Sequence, residues 1–226
     1  MIGGLGPEST IAYYRALIAM YRERTADGTY PSILIDSVDV TRVLALVAAG
    51  RLDELVDYLR PEVQRLASAG ADFAFIAANT PHVVFEELRR GSAIPMISII
   101  EATCAEAQVL GLTRLGIFGT RFTMQGGFYR DVFSQAGITL VAPDEGELAS
   151  VHEMYVGELV RGITRPETRE RLLRIVEHLR AEQGIDGLIL AGTELPLALP
   201  DAGYGGVPFL DTTHIHARRI IEEIVS

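Results

Sequence analysis

The sequence contains no lysine, no tryptophan and only one cysteine, Cys104. All twenty basic residues are therefore arginine, which excludes the lysine Schiff base of pyridoxal-phosphate enzymes and other lysine-based covalent catalysis. A single thiol also excludes an intramolecular disulfide and a zinc site built from cysteines. His214 and His216 are two residues apart, a spacing that points them to different faces of a helix, so we expect no metal site there.

Long apolar runs and an excess of positive charge are also missing. Thirty acidic residues against twenty basic ones give a formal net charge of −10, so we expect no nucleic-acid partner. The apolar runs are of strand length, well short of the roughly 20 residues that a membrane span needs. The N-terminus has no basic region followed by an apolar segment, and the cytoplasm is therefore the expected compartment.

What the sequence does contain is an alternation of apolar runs with helical periodicity. Strands are predicted at 32–38, 73–78, 95–99, 114–119, 138–143, 187–192 and 207–212, and helices at 9–24, 52–69, 81–90, 101–110, 124–136, 147–161, 167–183 and 213–225. This order predicts an α/β fold with mainly parallel sheets flanked by helices. In such sheets, functional groups lie beyond the carboxyl ends of the strands.

Two strand ends resemble each other. "ADFAFIAANTPH" and "IDGLILAGTELP" share an aspartate, an apolar run, small residues, a threonine and a proline. We interpret them as a pseudo-repeat of two similar α/β lobes, the first formed by residues 1–96 plus 212–226 and the second by 97–211. A cleft between the lobes is then the expected binding site.

In the first lobe, the opening "MIGGLGPEST" and the strand end "ANTPH" carry the candidate groups. The glycine loop around Gly6 either presents backbone N–H groups to an anion or is simply a tight turn before a helix. Asn79 and Thr80 either cap the next helix or bind a carboxylate at its start. His82 is a candidate base, an anion contact or a packed histidine.

The second lobe offers a similar set. Thr120 follows a strand and can donate a hydrogen bond to an acid group, and Arg165 either pairs with a carboxylate or lies on the surface. Thr193 and Glu194 follow the strand "GLILAG", and Glu194 is either an acid–base group or a helix cap. These alternatives remain open at the level of the residues alone.

Eight motifs together resemble the aspartate/glutamate racemase family, in order and over nearly the whole chain. They are "GGLGPEST", "DSVD", "ANTPH", "GTRFTM", "FYRDVF", "GITRPETR", "GTELPL" and "VPFLDTTHIHA". The resemblance implies two α/β lobes facing across a cleft, a homodimer and a cofactor-independent racemase acting on an acidic amino acid. It also implies that Asn79, Thr80, Thr120 and Thr193 contact the substrate, and that Arg165 stands where the family has a lysine.

The chain departs from that family at the two positions that carry the chemistry. Family members use two cysteines, which remove and return a proton on opposite faces of the substrate's α-carbon. Here the matching positions are Ala78 and Gly192, and neither can exchange a proton. Cys104 is predicted to lie within a helix, away from both strand ends. Only Met1 and Ile2 precede the glycine loop, where the family has a full strand, so we expect either a shortened central strand or an incomplete chain start.

Three hypotheses follow. The first is an enzyme, an isomerase or a lyase, that binds a small amino or dicarboxylic acid and uses His82 or Glu194 instead of thiols. The second is a catalytically silent homologue that binds a carboxylate or serves as a partner subunit. The third is an active racemase in which Ala78 replaces a natural cysteine, although Gly192 is an odd replacement for that purpose.

Overall fold

The computed structural model describes residues 1–25 and 28–226. The chain forms two compact units, Met1–Ala102 with His216–Ser226 and Thr103–Ile215. It passes from the first unit to the second within the helix Ile99–Val109 and returns within the helix Thr212–Ile224. The boundaries predicted from the sequence, after residues 96 and 211, lie slightly earlier in the chain.

The first unit is built around short parallel strands. Its elements are β1 (Ile2–Gly3), α1 (Pro7–Arg24), β2 (Asp36–Ser37), α2 (Val40–Ala48), α3 (Leu52–Ser68), β3 (Ala74–Phe75), a 3-10 helix (Thr80–Val84), α4 (Phe85–Arg90), β4 (Met96–Ile97) and the start of α5 (Ile99–Val109). Strand β1 pairs with β2 and β3 pairs with β4, both in parallel. A parallel bridge between Ile2 and Ile76 sets β1 beside the end of β3.

The second unit contains a five-stranded sheet in the order β6-β5-β7-β9-β8. Its elements are β5 (Arg114–Gly119), α6 (Arg121–Gln125), α7 (Gly127–Gln135), β6 (Thr139–Val141), α8 (Glu145–Gly157), a 3-10 helix (Leu159–Arg161), α9 (Pro166–Gln183), β7 (Gly187–Ala191), α10 (Leu195–Ala198), β8 (Gly203–Tyr204), β9 (Val207–Asp211) and the start of α11 (Thr212–Ile224). All pairings are parallel except that of β8 with β9.

The central strands of the second unit are buried on both faces. Every residue of β7 is buried, as are all those of β5 after Arg114. This explains why "GLILA" and "LGIFG" are continuously apolar rather than alternating, because helices cover both faces of a parallel sheet. The sequence prediction of an α/β fold with parallel-dominated sheets is confirmed. Over the described part of the chain, no helix combines the length and the apolarity needed to span a membrane.

Several elements differ from the sequence prediction. Helix α2 was not predicted; it begins after Asp39, whose Oδ1 accepts a hydrogen bond from the N–H of Thr41 at 2.8 Å. The single helix predicted over 124–136 is two helices, because Gly126 adopts an extended conformation (φ −64°, ψ 141°). The predicted helix 81–90 starts as a 3-10 helix and becomes α-helical at Phe85.

Candidate active site

The glycine loop of the first unit lies against the end of β3. Gly4 has φ 75°, and a Cβ at this position would lie 2.3 Å from the carbonyl oxygen of Val38, so only glycine fits. The hydroxyl of Ser9, in the first turn of α1, donates a hydrogen bond to the carbonyl oxygen of Ala77 at 2.7 Å. This contact holds the start of α1, with Gly6 at its N-cap, close to the backbone that leads into Ala78.

The end of β3 delivers the motif "AANT" to the same edge of the sheet. Ala78 and Asn79 are buried, with 8% and 5% of their surface exposed, and Thr80 is half-buried at the start of the 3-10 helix. Pro81 follows Thr80 at the first turn, where a missing N–H costs nothing. A carboxamide and a hydroxyl therefore stand beside a methyl group, which can neither accept nor donate a proton.

His82 is buried beneath this strand end, and both of its ring nitrogens are engaged. Nε2 accepts a hydrogen bond from the N–H of Ile99 at 3.2 Å, so Nδ1 carries the proton and donates it to the carbonyl oxygen of Ala78 at 2.8 Å. The ring stacks on Phe85 with centroids 4.9 Å apart. Burial lowers the pKa of His82 from 6.5 to about 3, so the ring is neutral. This geometry favours holding the Ala78 backbone over proton transfer by His82.

A second buried histidine, His216, lies next to the first. Its Nδ1 accepts a hydrogen bond from the hydroxyl of Tyr13 at 2.8 Å, and its Nε2 donates to the carbonyl oxygen of Ile97 at 3.2 Å. Burial lowers its pKa to about 3 as well. The centroids of the His82 and His216 rings are 6.3 Å apart, and Phe75 packs edge-on against His216. The two neutral imidazoles thus tie helices α1 and α11 and strand β4 to the end of β3.

In the second unit, Thr120 follows β5 and caps α6. Its Oγ1 accepts a hydrogen bond from the N–H of Thr123 at 3.1 Å. The backbone N–H of the next residue, Arg121, donates to Nδ1 of His152 on α8 at 3.1 Å, which leaves the proton of that ring on Nε2. Desolvation lowers the pKa of His152, with the positive charge of Arg121 acting in the same direction.

The end of β7 carries the strongest polar cluster of this unit. Glu194 is buried, with 7% of its surface exposed. Its Oε2 accepts hydrogen bonds from the hydroxyl of Tyr155 and from that of Thr193, both at 2.7 Å. Burial raises the pKa of Tyr155 well above 10, and the nearby carboxylate of Glu194 adds to this effect. The tyrosine is therefore a phenol at neutral pH and acts as a hydrogen-bond donor.

The ring of Tyr155 fills the space beside Gly192. A Cβ built on Gly192 would lie 2.7 Å from both Cζ and the hydroxyl oxygen of Tyr155. Real Cβ atoms do not come so close, so the chain holds glycine here because a phenol occupies the place of a side chain. The two strand-end positions thus differ: Ala78 has a small side chain of its own, whereas at Gly192 the ring of Tyr155 fills the space that a side chain would need.

The other sequence-predicted position, Arg165, lies on the surface before α9. Its side chain is 59% exposed, and its Nη1 is 3.4 Å from Oε1 of Glu158. Exposed pairs of this kind are weak, so the guanidinium can exchange one carboxylate partner for another. Oε2 of Glu158 also accepts a hydrogen bond from the hydroxyl of Thr168.

Within residues 1–25 and 28–226, one group of side chains has the spacing of metal ligands: Asp144, Glu147 and His178, with ligand atoms within 4.8 Å of one another. Nδ1 of His178 lies 2.6 Å from Oε1 of Glu147, and Oδ1 of Asp144 caps α8 by accepting from the N–H of Glu147 at 2.9 Å. A helix cap and a contact between His178 and Glu147 thus link the three side chains, while Oε2 of Glu147 is buried without a hydrogen-bond partner among the described residues.

Sequence reasoning missed Tyr155 and His152. Both come from the stretch "VHEMY" in α8, which the sequence showed only as part of a helical pattern. They are three residues apart and therefore share one face of that helix. That spacing was the available signal, but nothing in the sequence indicates that this face turns towards the ends of β5 and β7.

The chain thus has two α/β units, each with parallel strands that end in small, hydroxyl-bearing and amide or carboxylate side chains. The sequence model of the Asp/Glu/hydantoin racemase family matches residues 2–220, and the chain belongs to this family. It is 25% identical over 226 residues to the broad specificity amino-acid racemase RacX of Bacillus subtilis, covering 98% of this chain and 95% of that protein.

Solved structures agree with the sequence match. A candidate Asp/Glu racemase from Yersinia pestis superposes with a TM-score of 0.92 at 31% identity, covering 100% of this chain and 97% of the other. An aspartate racemase homologue from Pyrococcus horikoshii superposes with a TM-score of 0.83 at 33% identity, with the same coverage of 100% and 97%. The resemblance noted in the sequence is therefore confirmed at the level of the family and the fold.

Proposed function

We propose that this protein binds a small amino or dicarboxylic acid at its polar strand ends and acts next to a carboxylate, as an isomerase or lyase that does not use two thiols. One observation carries the proposal. The side chains beside the two family cysteine positions keep their polar character, while Ala78 and Gly192 themselves offer no thiol. Asn79 and Glu194 are buried at these strand ends, although burial of a polar side chain is costly unless it has hydrogen-bond partners.

Binding of the acid is assigned to backbone N–H groups and hydroxyls at the strand ends. The residues of this proposed binding set are Gly6, Asn79, Thr80, Thr120, Arg165 and Thr193. Backbone N–H groups at the start of α1, next to Gly6, suit a carboxylate because the positive end of the helix dipole lies there. Arg165 would provide the one cation of the set, in exchange for its exposed contact with Glu158.

Chemistry next to a carboxylate requires a group that exchanges a proton and donors that stabilise the charge left on carbon. Of the two candidates proposed from the sequence, His82 is already committed at both nitrogens. Glu194 is the better one, because its carboxylate sits at the end of β7 within a network of hydroxyls. With a proton-exchanging group in only one unit, we expect exchange at the α-carbon to be faster than inversion.

The test is proton exchange in deuterium oxide, followed by NMR. The panel contains both enantiomers of aspartate and glutamate together with methylmalonate, and a chiral separation measures inversion on the same samples. We expect loss of the α-proton signal for at least one acid, with little inversion. A panel in which no acid binds and none exchanges would contradict the proposal.

A second candidate function is a catalytically silent homologue that binds a carboxylate or serves as a partner subunit. It is favoured by the loss of both thiol positions, since neither a methyl group nor a glycine can take part in proton transfer. Calorimetry on the same panel separates the two functions. Binding without deuterium exchange supports the silent homologue, and exchange supports the enzyme.

We further propose that the protein acts without a cofactor, as a cytoplasmic homodimer. Membership of the racemase family supports this proposal. Sedimentation velocity measures the number of subunits. The absence of a cofactor is tested in two ways: deuterium exchange should persist after dialysis against a chelator, and the protein should show no absorbance beyond that of its aromatic residues. A monomer, or activity that is restored only by an added metal or cofactor, would contradict it.

A further inference from the structure

The structure offers one group that the sequence did not: the phenol of Tyr155. Its ring and hydroxyl lie 2.7 Å from the position where a side chain at Gly192 would begin. The family position that carries a thiol is thus occupied in space, although by a residue that comes from α8 rather than from β7. A phenol is a chemically reasonable replacement for a thiol here, because both groups carry an ionisable proton.

The hydrogen bonds of this phenol form a path for a proton. The hydroxyl of Tyr155 donates to Oε2 of Glu194 at 2.7 Å, and the hydroxyl of Thr193 donates to the same oxygen at 2.7 Å. The backbone N–H of Thr193 interacts with the phenol oxygen and acts against the rise in the pKa of Tyr155. Tyr155 and Glu194 are only 8% and 7% exposed, so the path is largely shielded from bulk water.

A buried tyrosine of the same unit shows what a purely structural role looks like. Tyr129, on α7, is 1% exposed, and the rise in its pKa has burial as its sole cause. Tyr155 donates a hydrogen bond to a carboxylate and lies at the end of β7, where its ring fills the space beside Gly192. Core packing alone does not call for either feature.

We propose that Tyr155 is the catalytic proton-transfer residue of the second unit and that Glu194 is its proton acceptor. This inference rests on the proposed function. In the forward step the C–H bond at the substrate's α-carbon breaks, and its proton passes to the oxygen of Tyr155. At the same moment the proton of Tyr155 passes to Oε2 of Glu194, which becomes a neutral carboxylic acid. The electron pair of the C–H bond stays on the substrate and is delocalised into its carboxylate.

The reverse relay returns a proton from the solvent-exchanged pair to the same carbon. Tyr155 is a phenol before and after each step, so its high pKa is no obstacle, and the charge moves from Glu194 to the substrate. Thr193 holds the carboxylate of Glu194 in place while this happens. The hydrogen bond from Tyr155 to Glu194 is thus the element that replaces the thiol.

The experiment compares Tyr155→Phe with Tyr129→Phe, each of which removes one buried hydroxyl from the same unit. Deuterium exchange is measured with the panel acid that the wild-type protein exchanges fastest, and its Kd is measured by calorimetry. We expect Tyr155→Phe to lower the exchange rate by about 100-fold or more, as loss of a general acid–base group does, with Kd changed less than about threefold. Glu194→Gln should lower the exchange rate by a similar factor, and Tyr129→Phe should leave the exchange rate near that of the wild type.

The outcomes separate this inference from the function on which it rests. Exchange by the wild type that Tyr155→Phe leaves intact would overturn the role of Tyr155 and leave the proposed enzyme standing. Binding of an acid without any exchange by the wild type would overturn both.

If Tyr155→Phe does not fold, replacing Tyr155 alone by 3-fluorotyrosine decides the matter, because it makes this phenol more acidic without removing it, and the same replacement of Tyr129 is the control. An exchange rate changed by about threefold or more supports the role of Tyr155, and an unchanged rate overturns it.

Discussion

Replacing Gly192 by alanine tests whether the ring of Tyr155 occupies the space that a side chain at position 192 would need. The new methyl group would lie 2.7 Å from Cζ and the hydroxyl oxygen of Tyr155 and 2.8 Å from its Cε2. That ring is 8% exposed and its hydroxyl is fixed by Glu194, so it cannot swing aside without losing a buried hydrogen bond. Gly192→Ala therefore has two costs: it overpacks the core, and the carboxylate of Glu194 loses the hydrogen bond from Tyr155.

The magnitude follows from these two contributions. Overpacking of a core by one methyl group costs about 1–3 kcal/mol, and loss of a hydrogen bond to a charged group costs about 1.5–3 kcal/mol. Because a shift of the ring relieves part of the clash, we expect a total of about 3 kcal/mol. For a chain of this size that corresponds to a melting temperature lower by about 6–12 °C. Thermal unfolding followed by circular dichroism measures it.

Gly157→Ala is the matched control, because a Cβ at Gly157 would have no atom within 4 Å and the residue ends helix α8. It should be neutral or stabilise the protein by up to about 1 kcal/mol. In a Tyr155→Ala background, Gly192→Ala should cost less than about 0.5 kcal/mol, since the obstacle is gone. An equal cost of Gly192→Ala in both backgrounds, or no cost in the native one, would refute the reasoning.

Three further predictions concern the rest of the chain. Because the pKa of His82 and of His216 is about 3 in the folded protein against 6.5 in the unfolded one, the unfolded chain binds more protons between these values. The free energy of unfolding, measured with urea, should therefore fall by roughly 2 kcal/mol per histidine from pH 7 to pH 5; a flat profile would exclude buried neutral imidazoles. Ser9→Ala should lower the free energy of unfolding by about 1 kcal/mol, because the carbonyl oxygen of Ala77 loses a buried hydrogen-bond donor. An unchanged urea midpoint would contradict this. Cys104 is 5% exposed, so iodoacetamide should not label the native protein, as mass spectrometry can verify, whereas rapid labelling would contradict its burial.

The sequence was most informative where burial is complete. The apolar runs of β5 and β7 and the long helices α1, α3 and α9 were predicted within a few residues, because continuous or periodic apolar patterns leave little choice. The strands of the first unit are much shorter than the predicted runs, since only two residues of each form regular ladder pairs. Helix α2 was missed because its sequence, rich in valine and alanine, is equally compatible with a strand or a loop.

The candidate site was predictable only in part. Strand-end residues such as Asn79 and Glu194 follow their strands directly in the sequence, so the topology of a parallel sheet assigns their place. The hydrogen bond that occupies Nε2 of His82 comes from Ile99, seventeen residues further along, and no local pattern reveals it. Tyr155 reaches Gly192 from a different element, and such a contact is decided by the packing of α8 against the sheet.

The hairpin at the margin of the second unit's sheet has a bearing on self-association. Strand β8 has only two residues and is joined to β9 by Gly205 and Gly206, both with positive φ (58° and 84°), the geometry of a tight hairpin turn. It covers the beginning of β9, where Tyr204 pairs with Val207 and Gly203 with Pro208. An edge strand of only two residues offers few backbone groups to a strand of another molecule, so edge-to-edge pairing is disfavoured on this side of the five-stranded sheet.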